Sequence, residues 1–154
     1  MRNSATFAPV IAVLFWRLAT KEAVVGSMIL GFLSGVAWYH LGGWSPDAFY
    51  LNVHPVWIGM SVNILTIIII TLLQEVRNLA FNFSFVDARV GHYALVAVVV
   101  ILSVLVINFE TIHHYGLTGL LGFTAVLSLF ISTVVYIPKT KEQAMIKQTL
   151  AKAK

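Results

Sequence analysis

Residues 55–74 read PVWIGMSVNILTIIIITLLQ, twenty positions without one Asp, Glu, Lys or Arg. A helix of that length rises about 30 Å at about 1.5 Å per residue, which matches the hydrocarbon core of a bilayer. The four consecutive isoleucines at 67–70 favour a strand by intrinsic propensity. In lipid, however, a single segment satisfies all of its backbone N–H and C=O groups only as a helix, so the setting overrides the propensity. The stretch reads as a transmembrane helix opened by Pro55, whose fixed φ suits the first helical position.

Three more runs, 23–41, 91–109 and 116–136, have the length and apolarity to span. An earlier one, 5–16, would reach only about 18 Å as a helix and cannot span unaided. Of the 154 residues, 59% are hydrophobic and 10% charged; soluble proteins carry about 25% charged residues. A soluble fold of this composition would leave large apolar patches in water, and lipid removes that difficulty. The expected fold class is all-α integral membrane, with four full transmembrane helices and an N-terminal partial helix in one membrane domain over 1–154. A signal peptide is the competing reading of the first run, with Arg2 as its charged region and 7–15 as its apolar one. Trp16, Arg17 and Leu18 then stand where small residues should permit cleavage, so the second half of a helix fits better. The chain has no cysteine, which excludes disulfides, thiolate metal sites and cysteine nucleophiles.

The net charge of +4 comes from basic residues that flank the spans. Arg17 and Lys21 precede the first full span, Arg77 and Arg89 follow the second, and five lysines lie in the tail 138–154; the loops 42–54 and 110–115 have neither Lys nor Arg. By the positive-inside rule the basic segments, including the C-terminal tail, are expected in the cytoplasm, in a multi-pass protein of the plasma membrane. Arg2 alone falls on the other side. That distribution points to the lipid bilayer and not to nucleic acid. Thr20 is placed to cap the first full helix with Glu22 in its opening turn. Trp38, Tyr39, Trp44, Trp57 and Tyr136 sit near span ends, where amphipathic rings belong.

Ala23, Ser27, Gly31 and Gly35 recur every fourth residue and form a small-residue stripe, which in lipid lets helix backbones approach closely. Packing within the molecule is the first expectation for it and a homodimer face the second. Thr124, Ser128 and Ser132 form a similar stripe, with hydroxyls expected to bond the preceding turn. Intramembrane charge usually marks an ion pathway. Here every acidic residue (Glu22, Asp47, Glu75, Asp87, Glu110, Glu142) falls at a span end or in a loop. Asn63 is the one amide well inside a span, read as an interhelical hydrogen bond before a ligand contact. His40, His54, His113 and His114 gather on the outer side and could bind zinc or sense pH. No pair of them has i, i+4 spacing and no carboxylate completes a ligand pattern, so solvation is the expectation. Phosphate-cradling loops, a nucleophile elbow and paired carboxylates are all missing, and the chain is not expected to be an enzyme. The segment 75–90, with Phe81, Phe83 and Phe85 alternating, reads as a surface-lying loop of no assigned function.

Phe7-Ala8-Pro9, six intervening residues, then Trp16-Arg17-Leu18-Ala19-Thr20 and the glycine-rich run 26–35 make up a pattern that resembles the sodium:solute symporter family. Members carry a Phe-Gly-Pro helix that ends in an aromatic-Trp-basic-basic-Ala-Thr turn before a Gly-rich helix. Trp38-Tyr39, a variable outer loop, and His54-Pro55-Val56 opening a span that ends in Leu72-Leu73 extend the likeness to about half the chain. Ala8 replaces the family's glycine, Leu18 a second basic residue, and Glu22 stands where a small or apolar residue is frequent.

The resemblance implies the C-terminal portion of a leucine-transporter-type inverted-repeat fold, entered inside the ninth core helix, with the tenth and three peripheral helices following. Its partners would then be the N-terminal transporter helices and the lipid bilayer. In such transporters binding occurs at broken helices near the midplane. The family's sodium and substrate ligands come mainly from the first, sixth and eighth core helices, so no binding residue carries over to a numbered position and no cofactor is implied for this chain beyond the coupling sodium ion. The segment 23–41 would line or gate the outer vestibule, with Tyr39 as the candidate outer gate. A symporter-like membrane sensor and a self-contained small membrane protein acting through helix association are the alternatives.

Overall fold

The computed structural model describes residues 6, 9–12, 14, 16, 18–45, 49–75 and 88–137. Arg2, the Phe7-Ala8 pair, Arg17, the loop acids Asp47 and Asp87, Arg77, the alternating phenylalanines of 81–85 and the basic tail 138–154 lie outside the described residues. The elements are α1 (Lys21–Leu41), a 3-10 turn (Tyr50–Asn52), α2 (Pro55–Glu75), α3 (Arg89–Ile107), α4 (Phe109–His114) and α5 (Thr118–Tyr136), and residues 9–12 are also helical. No strand occurs among the described residues. Helices α1, α2, α3 and α5 are each long and apolar enough to cross a membrane, which makes this a multi-pass membrane protein.

Thr20 fixes the start of α1. Its backbone is extended, at φ −87° and ψ 160°, and its Oγ1 accepts the N–H of Ala23 at 3.2 Å. The same hydroxyl donates to Gln74 Oε1 at the end of α2. Thr20→Ala therefore loses a cap and a cross-helix bond together. It is expected to lower stability by about 1–2 kcal/mol, the upper range for a cap, as read from denaturation in mixed micelles, with Thr20→Ser recovering most of the loss.

Both turns at the opposite end use one device. At the end of α1, Gly43 has φ 72°, its N–H bonds His40 C=O at 2.9 Å, and Trp44 N–H bonds Tyr39 C=O at 3.2 Å. At the end of α4, Gly116 has φ 68°, its N–H bonds His113 C=O at 3.0 Å, and Leu117 N–H bonds Ile112 C=O at 3.0 Å. These are Schellman closures, which need the left-handed conformation that glycine adopts freely. Helix α4 itself corrects the expected loop 110–115. Asn108, at φ −112° and ψ 28°, interrupts the third span, so that span ends at Ile107 and not at residue 109. The Asn108 carbonyl then accepts Ile112 N–H at 3.0 Å and opens the new turn.

Contacts at the helix ends set the directions. Thr20 meets Gln74 at what we call the tail end, and Gly35 lies against Pro55 at the loop end, so α1 and α2 are antiparallel. Gly91 faces Val135 and Tyr136, which makes α3 and α5 antiparallel too. Gly119 faces Val53 and Trp57, so α2 and α5 start at the same end and run parallel. The main interfaces are α1 with α2, α3 with α5, and α2 with α5. Helix α2 is thus the centre, and α3 is the most exposed of the four. The core holds Ile64, Ile67 and Ile68 of α2, Phe123 and Phe130 of α5, and Ala12 and Trp16 from the N-terminal segment.

Candidate functional site

The crossing of α1 and α2 is built from backbone. Ala23, Ser27, Gly31 and Gly35 are all buried along the face of α1 that meets α2. A Cβ added at Gly31 would stand 2.8 Å from Gly59 C=O and 2.8 Å from Asn63 Cβ, and one added at Gly59 would stand 2.8 Å from Gly31 C=O. The helices therefore touch through main-chain atoms, as small residues permit in lipid. Ser27, fully buried, donates its hydroxyl to Val24 C=O at 2.7 Å, which removes one polar group from the interface. Asn63 is also fully buried, with its Cβ at this crossing. Gly59 is the residue that sequence reasoning missed: one glycine in an isoleucine-rich span shows no repeat, and its role depends on the register of a second helix.

Trp16 anchors the N-terminal segment. It is 2% exposed, its ring meets Phe130 edge-on at 5.8 Å and 85°, and its Nε1–H is buried without a hydrogen-bond partner. Thr124 Oγ1 donates to Leu120 C=O at 2.8 Å on the preceding turn, while Ser132 is buried.

At the loop end, Tyr39 donates its hydroxyl to Trp44 C=O at 2.9 Å and packs edge-on against the Trp44 ring at 5.3 Å. It is held by the turn that follows its own helix. Trp38 Nε1 donates to Val53 C=O at 3.0 Å and so ties α1 to the entry of α2. In the strap between them Leu51 and Asn52 have φ of 50° and 52°, a region that Asn adopts readily and that costs Leu51 about 1–2 kcal/mol. Asn52 Nδ2 donates to His113 C=O at 3.0 Å and pins the strap to α4. Beside it lies a half-open apolar pocket of 270 Å³, lined by Trp38, Trp57, Phe109, His113, Gly122 and Phe123.

The four loop-end histidines come to the same end of the bundle but not to one point. Each has its own aromatic neighbour: His40 has Trp44, His54 has Phe49, His113 stacks on Phe109 at 13° between planes, and His114 has Tyr115. Among the described residues, no group of three or more His, Asp or Glu side chains could hold a metal ion. The ionisable side chains Lys21, Glu22, Arg89 and Glu110 all stand at helix ends. The four spans consequently present packing surfaces, hydroxyls and rings in place of fixed charge. The chain matches no family model, no curated protein and no solved structure.

Proposed function

We propose that this chain forms the last core helix and the peripheral helices of a sodium-coupled symporter that imports a small organic solute by alternating access. What supports the reading is that the residues carrying the sodium:solute symporter resemblance are those at which the segments touch. Trp16 joins the N-terminal segment to α5, Thr20 caps α1 and reaches α2, and Gly31 meets α2 backbone to backbone. Trp38 then ties α1 to the strap that leads into Pro55. A pattern of this kind, with a structural task at each position, is what a shared transporter scaffold would require. On this reading the loop end faces outward, the basic segments face the cytoplasm, and Tyr39 sits at the outer mouth.

Helix α1 would then turn two faces to two partners. The stripe from Ala23 to Gly35 is taken by α2, whereas Val25, Ile29, Phe32 and Leu33 are exposed and free to meet other core helices. The competing helix-association reading loses its best surface, because that stripe is already covered within the chain. On the family's pattern, sodium and solute would be held mainly by the first, sixth and eighth core helices.

Uptake measurements test this directly. Disruption of the coding gene in its host is expected to abolish sodium-gradient-driven uptake of one class among radiolabelled sugars, amino acids, carboxylates and vitamins, with restoration by a plasmid-borne copy. Uptake undiminished across the whole panel, with and without the gradient, would reject the symporter reading.

A further inference from the structure

We propose that His54 is a pH-sensitive cap whose neutral imidazole holds the entry of α2 and whose protonation loosens it, a reading independent of transport. Its Nδ1 lies 3.2 Å from the backbone nitrogen of Val56, in the first turn of the helix, and accepts that N–H. A backbone N–H can only donate, so Nδ1 must carry a lone pair and the proton of the neutral ring sits on Nε2. An imidazolium has a proton on both nitrogens and cannot accept this bond. Its charge would also stand at the positive end of the α2 dipole. His54 is exposed and precedes the span that begins at Pro55, so bulk protons reach it. Imidazole changes charge between about pH 5 and 8. The cap is therefore in place above that range and is lost as the pH falls through it.

The turn it caps is a junction of three helices. Trp57 N–H bonds His54 C=O at 3.0 Å and opens α2. From α1, Trp38 Nε1 donates to Val53 C=O and Gly35 lies against Pro55 C=O. From α5, Gly119 approaches so closely that an added Cβ would meet Val53 and Trp57 at 2.8 Å. Loosening of residues 53–57 thus touches the seats of both neighbours. The other contact of the His54 ring is edge-on with Phe49 at 4.5 Å, which needs no lone pair and does not depend on the cap. The remaining ionisable groups at this end are Tyr39 and His40 on α1, Tyr50 in the strap, and Glu110, His113, His114 and Tyr115 on α4, with Asp47 outside the described residues. None of the described ones is hydrogen-bonded or ion-paired to His54: His40 meets Trp44, His113 meets Phe109 and His114 meets Tyr115.

Amide hydrogen exchange on the isotope-labelled full chain in detergent micelles tests the cap, with protection compared at about pH 8 and about pH 5, the two sides of the imidazole range. Protection of Val56 and Trp57 is expected to fall about two- to tenfold on the acid side, the worth of one hydrogen bond, while amides in the middle of α2 keep theirs. His54→Asn, whose side-chain oxygen accepts the same bond at either pH, should hold the neutral-side protection throughout. His54→Ala should show the low value on both sides. Equal protection of Val56 at the two pH values in wild type would overturn the proposal, as would an acid loss shared by the whole of α2. So would a loss of the same size in His54→Asn, which assigns the titration to Asp47, His40 or another neighbour, or full protection of Val56 in His54→Ala on the neutral side.

Discussion

Gly31→Ala is expected to destabilise the bundle by about 1–3 kcal/mol, the cost of overpacking a close contact, whereas Gly35→Ala, one turn later on the same stripe, is expected to be neutral or stabilising. Composition cannot separate the two glycines, but their surroundings do. The new methyl at 31 would press at 2.8 Å on Gly59 C=O, a backbone atom of α2, and on Asn63 Cβ, which is bonded directly to that backbone. At 35 the nearest atoms are Pro55 C=O at 3.5 Å and Gly59 Cα at 3.8 Å, ordinary contact distances. Alanine also improves helix propensity over glycine by about 0.8–1 kcal/mol at either site, which only the second can keep. Gly59→Ala should match Gly31→Ala, since it meets Gly31 C=O at the same distance. Unfolding of the purified chain in bicelles, followed by steric trapping, measures all three. If Gly31→Ala proves as stable as Gly35→Ala, α1 and α2 do not cross through their backbones.

The contrast shows which parts of this protein are legible in a sequence. Span positions follow from apolar length, which lipid thickness fixes, and so residues 55–74 announce α2 almost to the residue. The face of α1 is legible as well, because a period of four on a helix is a stripe. What that stripe meets is not legible, since Gly59 matters only through the register of two helices joined by residues 42–54. The break at Asn108 is hidden for a related reason: Phe109 and Ile112 continue the apolar pattern, and only the Asn108 dihedrals and the closure at Gly116 reveal a separate turn of helix. The pocket is further still from the sequence. Gly122 reads as one small residue in an apolar span, and the empty space beside it exists because α2, α4, α5 and the strap converge there. Trp16, Thr20 and Trp38, by contrast, carry the family resemblance and also mark contacts, so their structural tasks lie at positions the sequence pattern already picks out.

Trp16 supplies the second large effect. Truncation to alanine removes a ring that is 2% exposed and seated against Phe130, among Ile67, Ile68 and Ile137. Burying an aromatic side chain in a water-soluble core is worth about 3–5 kcal/mol against alanine. In lipid the transfer part of that figure shrinks, because acyl chains are as apolar as the core, and packing contacts supply the remainder. Trp16→Ala is therefore expected near the lower end of that range and should release the N-terminal segment, seen as faster proteolysis near residue 16. Trp16→Phe should behave very differently. The indole Nε1–H is buried without an acceptor, and an unpaired buried donor costs about 1–3 kcal/mol. Phenylalanine keeps most of the edge-on contact with Phe130 and deletes that donor, so the two changes oppose each other and net stability should stay close to wild type. A Trp16→Phe variant as unstable as Trp16→Ala would mean that the indole N–H is bonded in the membrane, which would turn Trp16 from a packing anchor into a polar contact.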